Sequence, residues 1–219
     1  MDSPMVVLKD LYKKIGNTAV IRDVDLTLSE NSITLLLGDS DSDSGKSVFL
    51  KLLAGLLSPD RGSITIDGLS PRDAVLAGKV AYLSSRPSLP EHLTVPEAVA
   101  FLADVVPTFD KNRAEALLSD LRVKQNKPIK SFSKSTKAKI SLIFTMCHSA
   151  RVYLLDMPLM GDETVKAYLL RIIRENRAEG SAVILATRNR VGTEDFTENA
   201  ILLADGKLIP NEEGRDAVC

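Results

Sequence analysis

Gly45, Lys46 and Ser47 are the residues with the clearest chemical potential. They follow an apolar strand and open a helix within residues 35–57, which read LLLGDSDSDSGKSVFLKLLAGLL. A small-residue loop that ends in Gly-Lys-Ser is typical of a phosphate-binding loop. Its backbone amides face phosphate, its lysine reaches the outer phosphates and its hydroxyl binds Mg²⁺. The pattern therefore predicts a nucleotide phosphate site.

The loop departs from the usual pattern in length and in charge. Four residues normally separate the first glycine from Gly-Lys, whereas six separate Gly38 from Gly45, and three of them are Asp39, Asp41 and Asp43. A carboxylate ~8 Å from a phosphate charge costs about 1 to 2 kcal/mol before screening. We expect weakened ATP binding, unless the insertion folds out as a bulge and leaves Gly45-Lys46-Ser47 in working geometry.

The same aspartates also suggest a calcium loop, since they occupy the first, third and fifth positions of an EF-hand-like segment. The sixth position is Ser44 where glycine is needed, and the twelfth is Leu50 where glutamate is needed. An EF-hand is therefore rejected, and a weak, adventitious Mg²⁺ or Ca²⁺ site is a minor alternative.

Composition restricts the classes of function. The chain has 219 residues, with 28 basic against 29 acidic side chains, so no overall field favours nucleic acid. Its lysines between 124 and 139 are interpreted as a solvated face. Two cysteines, Cys147 and Cys219, form neither a disulfide framework nor a metal-ligand spacing, which predicts a reducing cytosol. Apolar runs stay below the ~18 residues of a membrane span, so a membrane role requires a separate spanning chain.

Apolar strands alternate with helical segments along the chain. Strands are predicted at residues 5–9, 20–28, 32–37, 63–67, 80–83, 151–156, 181–187 and 200–204. Helices are predicted at residues 46–57, 134–149 and 164–179, and a helical pattern extends from 94 to 123. This order implies an α/β fold with a mainly parallel sheet covered on both faces. Phosphate sites in such sheets lie at the carboxyl ends of the strands.

Several phrases resemble the nucleotide-binding subunit of ABC transporters: LKLLAGLLSPDRGSITIDG, LPEHLTVPEAV, YLLDMPLMGDE and ILLADGKLI. The match covers about residues 5 to 210, and the segment FSKSTKAK is similar to subunits of the ABC-2 exporter type. The resemblance implies a P-loop NTPase of ABC type, with an N-terminal antiparallel β portion. It also implies a single domain over residues 1–219 and an inserted helical lobe at about 86–148.

In that family two subunits enclose two ATP molecules, each held by the phosphate loop of one chain and the signature of the other. The resemblance implies nucleotide contacts from Gly38, Gly45, Lys46, Ser47, Val48 and Ser133, and Mg²⁺ ligation by Ser47 and Asp156. It implies a separate transmembrane permease subunit and a homodimer or heterodimer with another nucleotide-binding subunit. The expected location is cytoplasmic, peripheral at the inner face of the membrane, with no nucleic acid partner.

The catalytic positions of the family are replaced in this chain. Met157 follows Asp156 where a glutamate should polarise the attacking water, and losing such a base typically costs about 10²- to 10⁴-fold in rate. Arg188 replaces the histidine that senses the γ-phosphate. Ser85 replaces the loop glutamine that links the metal to the membrane partner. No catalytic position is therefore intact.

The signature and the base-stacking position are altered as well. Ser133 is kept, but Lys134 and Ser135 replace the two glycines that let backbone approach the partner's ATP. The aromatic residue that stacks on adenine is Ile15 here, with Tyr12 nearby as a substitute. Three functions are weighed: an ATP-binding transporter subunit with impaired or absent hydrolysis, a pseudo-ATPase with a structural or regulatory role, and an ATPase completed by residues in trans.

Overall fold

The computed structural model describes residues 4–38, 44–86, 89–120, 126–156, 163–187 and 199–210. The acidic loop residues 39–43, Met157 and Arg188 lie outside these ranges. Nine strands are described: β1 Pro4–Ile15, β2 Thr18–Ser29, β3 Ile33–Gly38, β4 Arg61–Ile66, β5 Val80–Leu83, β6 Val152–Asp156, β7 Ala182–Ala186, β8 Asn199–Ala204 and β9 Lys207–Pro210. Six α-helices accompany them in the described ranges: α1 Ser44–Leu53, α2 Pro71–Leu76, α3 Val95–Val105, α4 Lys111–Asp120, α5 Lys134–Met146 and α6 Glu163–Asn176.

An antiparallel sheet with the order β2-β1-β4 forms the N-terminal part of the fold. β1 runs well beyond the predicted residues 5–9. A bulge lies at Asp10, which has a φ of 48°. The bulge interrupts the alternation of buried and exposed side chains, so periodicity alone ends the strand too early. The predicted antiparallel β portion is confirmed.

The second sheet has the order β5-β6-β7-β3-β8-β9. Its first five strands are parallel, and β9 returns antiparallel to β8. The return is made by Asp205 and Gly206, whose φ angles of 48° and 79° fit the two left-handed positions of a tight hairpin turn. Every residue of β6 and β7 is buried. The mainly parallel sheet predicted from the apolar runs is confirmed.

Helices and the small sheet cover the two faces of the large sheet. α1 and the antiparallel sheet pack on one face, with Phe49 and Leu52 in the same core as Leu36 and Leu154. α5 and α6 pack on the other face. A further cluster joins α3, α4 and α5, around Val99, Leu118, Ile140 and Phe144. The division into a single domain with a lobe at about 86–148 stays a prediction.

The predicted helical pattern from 94 to 123 contains two helices in the described structure. α3 begins with a capping box, in which Thr94 and Glu97 bond each other's backbone N–H, and it stops before Pro107. α2 was not predicted, although Ser70 caps it by accepting a hydrogen bond from the Asp73 amide. α1 ends at Leu53 rather than at residue 57.

Candidate functional site at the carboxyl edge of the parallel sheet

Three strands bring their carboxyl ends together. Ala186, the last residue of β7, pairs with Asp156 of β6 on one side and with Leu36 of β3 on the other. Gly38 ends β3 two residues further on, and α1 starts at residue 44. The strand–loop–helix predicted from the sequence therefore leads into α1 from the edge where Asp156 lies.

Lys46 lies at this edge with its side chain folded against Gly38. It is only 8% exposed. A Cβ atom at Gly38 would lie 2.9 Å from Cδ of Lys46 and in contact with its Nζ atom. Gly45 has a different reason to be glycine, since its Cβ would lie 3.0 Å from Cδ2 of Leu203 on β8. One glycine makes room for the lysine, and the other lets α1 pack closely on the sheet.

Asp156 faces the same side of the sheet as α1. Alternation along β6 places Val152 and Leu154 in the core beneath α1, and Asp156 continues that series. Its side chain is 6% exposed, and Oδ2 has no hydrogen-bond partner among the described residues. A buried carboxylate oxygen without a partner is costly unless a ligand satisfies it. The donor set fits a hydrated Mg²⁺ ion, for which carboxylate oxygen is a preferred ligand.

Ser47 and Val48 share the first turns of α1 but differ in burial. Ser47 is half-buried, and the Mg²⁺ ligation predicted for its hydroxyl stays a prediction. Val48 is buried, and its side chain packs in the core beneath α1. A nucleotide contact by Val48 would have to come from its backbone, and this contact stays a prediction.

Ser133 caps α5, in the helical cluster away from the phosphate-loop strand. Its hydroxyl accepts a hydrogen bond of 3.1 Å from the Thr136 amide. Lys134 and Ser135 occupy the first turn of the helix with exposed side chains. Ser85 is also exposed and follows β5. Ser133 and Ser85 both lie outside the elements that carry Lys46 and Asp156, so the roles predicted for these two residues stay predictions.

Tyr12 is partly covered by neighbouring cations. The Arg61 guanidinium lies 4.3 Å from the centroid of its ring, and Lys14 lies 5.9 Å away. Asp60 fixes this corner, since it accepts the Lys14 amide, and that hydrogen bond is the main reason its pKa lies below the ordinary value. Ile15, at the predicted stacking position, is 48% exposed. Arg61 thus occupies one face of the ring that was proposed as a substitute for adenine stacking.

Sequence reasoning missed Tyr82 on β5. Its hydroxyl is buried without a hydrogen-bond partner among the described residues. Burial is the main reason that the pKa of this phenol is raised; the adjacent Ser84 side chain opposes the shift, and the charge of Asp156 adds a smaller increase. The available signal was the spacing of Tyr82 and Ser84, which stand two residues apart at the end of β5 as side chains on one face do.

Within the described ranges, no helix has the length and hydropathy that a bilayer crossing requires. The same ranges contain no cluster of three or more His, Cys, Asp or Glu side chains suited to hold a metal by themselves. The phosphate-loop strand, the glycine-packed lysine and the strand-end aspartate together define the class of P-loop NTPases.

Comparison with known proteins identifies the family within this class. A family model described as "ABC transporter" matches residues 21–160, and the chain belongs to this family. A solved structure titled "Structure of ATP binding subunit of ABC transporter" has a TM-score of 0.80 at 23% sequence identity, covering 93% of this chain and 88% of that chain. The predicted ABC-type fold is therefore confirmed.

Relatives with different transport directions are similarly close. The chain is 27% identical over 218 residues to the lipopolysaccharide export system ATP-binding protein LptB of Acidithiobacillus ferridurans, with 94% of this chain and 89% of LptB covered. It is 28% identical over 227 residues to the ribose import ATP-binding protein RbsA of Caldanaerobacter subterraneus subsp. tengcongensis, with 96% of this chain but 45% of RbsA covered. The chain thus matches ATP-binding subunits of ABC transporters, without distinguishing export from import.

Proposed function

We propose that the chain is an ATP-binding subunit of an ABC-type exporter that holds Mg-ATP but hydrolyses it poorly or not at all. One observation carries the proposal. Lys46 packs on Gly38 at the end of β3 and Asp156 ends β6 at the same edge of the sheet, while the residue that follows Asp156 is Met157. The parts that bind phosphate and metal are thus kept, and the general base is missing.

The binding half of the proposal rests on charge and burial. Lys46 would meet the outer phosphates, while Ser47 and Asp156 would hold Mg²⁺. When bound, Mg²⁺ neutralises charge on the phosphate oxygens. The acidic insertion at residues 39–43 opposes binding, so we expect an affinity below that of an ordinary phosphate-binding loop.

The catalytic half rests on the residue types at two positions. Met157 carries a thioether, which cannot accept a proton from water. Arg188 stays charged and can hold a phosphate, but it cannot shuttle a proton at neutral pH. Both changes reduce hydrolysis without removing the groups that bind nucleotide.

The proposed setting is a dimer of nucleotide-binding subunits beneath a separate transmembrane permease, at the cytoplasmic face of the membrane. The dimer partner is a second copy or a different nucleotide-binding chain. The exporter assignment rests on the resemblance of FSKSTKAK to the ABC-2 type.

A pseudo-ATPase is the second candidate, and the lengthened acidic loop favours it. In a heterodimer with one inactive site, the chain without the glutamate keeps the signature that serves the active site. Here Met157 and the replaced signature residues Lys134 and Ser135 occur in one chain. Pairing with an intact subunit would leave neither composite site whole, unless residues supplied in trans complete it.

Calorimetry of Mg-ATP binding to the purified chain separates the two candidates. We expect binding in the micromolar range that Lys46→Ala weakens by about 10²-fold, the effect of losing a strong charge-assisted contact. Lys51→Ala is the matched control, since it removes a lysine from the last turn of the same helix. No binding at millimolar ATP would sink the ATP-binding proposal and leave the pseudo-ATPase.

Met157→Glu tests the catalytic half. We expect ATPase turnover to stay at background in this variant, because the phosphate loop and the signature are also altered. The measurement is phosphate release from the variant and from the wild-type chain. Robust turnover from this single change would show that the loop is functional and that only the base was missing.

A further inference from the structure

Two buried oxygen atoms without partners lie on the same face of neighbouring strands. One is Oδ2 of Asp156 at the end of β6, and the other is the hydroxyl oxygen of Tyr82 on β5. Tyr82 pairs in register with Leu154, which precedes Asp156 by two residues. Side chains two residues apart share a face, so Tyr82 lies diagonally next to Asp156.

The spacing is within reach of a tyrosine side chain. Two residues along a strand and one strand spacing across place the Cα atoms of Tyr82 and Asp156 about 8 Å apart. Both side chains lie on the α1 face of the sheet, where Tyr82 packs against the core cluster that contains Leu154. The phenol offers an O–H donor on the same face as the carboxylate acceptor of Asp156.

Tyr153 shows how this protein normally satisfies a buried phenol. Its hydroxyl donates to the His148 carbonyl oxygen at 2.5 Å, and it accepts hydrogen bonds from the amides of Ala178 at 3.2 Å and Ala150 at 3.4 Å. Tyr82 lacks such partners among the described residues, although it lies on a neighbouring strand. A buried hydroxyl left unpaired is destabilising. A ligand bound next to Asp156 would remove this cost by accepting a hydrogen bond from Tyr82.

We propose that Tyr82 is a positioning residue for the metal side of the nucleotide site. Its O–H group and Oδ2 of Asp156 together hold a water molecule of the hydrated Mg²⁺ ion that accompanies the nucleotide. Mg²⁺ keeps several of its waters in proteins, and such waters need hydrogen-bonding partners. This inference rests on the proposed nucleotide binding, and its test separates the two.

The test measures ATP binding to the full chain by calorimetry as the Mg²⁺ concentration is varied. Tyr82→Phe removes one oxygen atom and keeps the ring. We expect the Mg²⁺ concentration for half-maximal ATP binding to rise about 10-fold, as for the loss of an outer-shell partner, while ATP binding without Mg²⁺ is unchanged. In the double variant with Asp156→Asn, the two effects should not add, because Tyr82 acts on the same bound water.

Tyr168→Phe is the matched control. The Tyr168 hydroxyl on α6 is likewise buried without a partner among the described residues, and burial raises its pKa too. It lies on the face of the sheet opposite α1, so we expect no change in Mg²⁺ dependence. Equal behaviour of the two variants would overturn the inference, as would a loss of ATP binding by Tyr82→Phe without Mg²⁺.

Thermal unfolding without ligand provides a readout independent of binding. Tyr82→Phe should unfold at the same temperature as the wild-type chain or higher, because it removes an unpaired buried hydroxyl. A lower unfolding temperature would mean that the hydroxyl supports the fold itself, and it would contradict the proposed role. If wild-type protein binds no ATP with or without Mg²⁺, the proposed function fails and this inference fails with it.

Discussion

The two ends of the parallel sheet differ in whether their polar groups are paired within the protein. At the amino ends of the strands, the Arg151 guanidinium lies 3.5 Å from Glu30 and 3.9 Å from Asp67. The Lys79 ammonium donates to Asp67 at 2.6 Å, and Asn31 accepts the Gly180 amide at 2.9 Å. This network joins the strands to the end of the antiparallel sheet. Its charges are paired by the protein itself.

At the carboxyl ends, the protein leaves polar atoms for something else to satisfy. Oδ2 of Asp156 and the Tyr82 hydroxyl are buried without partners in the described ranges, and Lys46 packs on Gly38 at the same edge of the sheet. The difference indicates that the paired groups at the amino end stabilise the fold. At the carboxyl end the unpaired polar atoms reduce stability but are available to bind a ligand. Substitutions of the same kind at the two ends should therefore have different consequences.

A glycine pair provides the largest expected contrast. Gly38→Ala places a methyl group where the end of the Lys46 side chain lies, but its backbone is not left-handed, and the lysine can move aside. We expect nearly unchanged stability and a loss of about 10- to 100-fold in Mg-ATP affinity, since the displaced ammonium loses its charge-assisted contact. Calorimetry and urea unfolding measure the two effects.

Gly180→Ala is the counterpart at the amino end. Gly180 has a φ of 73°, and an added Cβ would lie 2.8 Å from Nη1 of Arg151. We expect a loss of about 1 kcal/mol or more in the free energy of unfolding, because alanine is strained in the left-handed region. Its ATP affinity should be unchanged. If both variants lose affinity equally, the two ends are not functionally distinct.

Matched aspartate substitutions test the same contrast in stability. Asp156→Asn removes a buried charge that has an unpaired oxygen, and we expect the ligand-free protein to gain about 1 kcal/mol in the free energy of unfolding. Asp67→Asn removes a carboxylate paired with Lys79 and should reduce stability. Urea unfolding of both variants without nucleotide gives the two signs. A loss of stability in both would mean that Asp156 is already satisfied within the protein.

Much of the fold followed from local sequence patterns. The apolar runs at 151–156 and 181–187 predicted buried parallel strands, and both are found as β6 and β7. Features of this kind are determined by residues close together in the sequence, so a local pattern is enough to predict them. The short helix α2 was missed because six residues are too few to show a helical period. β1 was predicted too short because a bulge breaks its alternation.

The candidate site was predictable only in part. Lys46 and Asp156 stand in local patterns, a loop before a helix and an aspartate after an apolar strand. Tyr82 has no such marker, because its importance depends on β5 lying next to β6 in a given register. That pairing joins residues about seventy positions apart in the sequence, and no local pattern fixes which residue comes to lie beside Asp156.

The smallest expected effect concerns the pH dependence of the amino-end network. The Lys79 hydrogen bond, and then the nearby positive charges, hold the pKa of Asp67 below its ordinary value of 3.8. A carboxyl group with a depressed pKa in the folded state contributes stability above its unfolded pKa and loses it as the pH falls through the folded pKa. Since the pair is about one-third exposed, this contribution is below about 1 kcal/mol.

The difference in unfolding free energy between wild type and Asp67→Asn isolates this contribution from other carboxyl groups. We expect a constant difference from neutral pH down to about pH 5 and a decline towards zero as acid protonates Asp67, below about pH 4. Urea unfolding across this pH range provides the measurement. A difference that grows in acid would mean that the folded protein raises the pKa of Asp67. The amino end would then contain an unpaired charge, and its contrast with the carboxyl end would disappear.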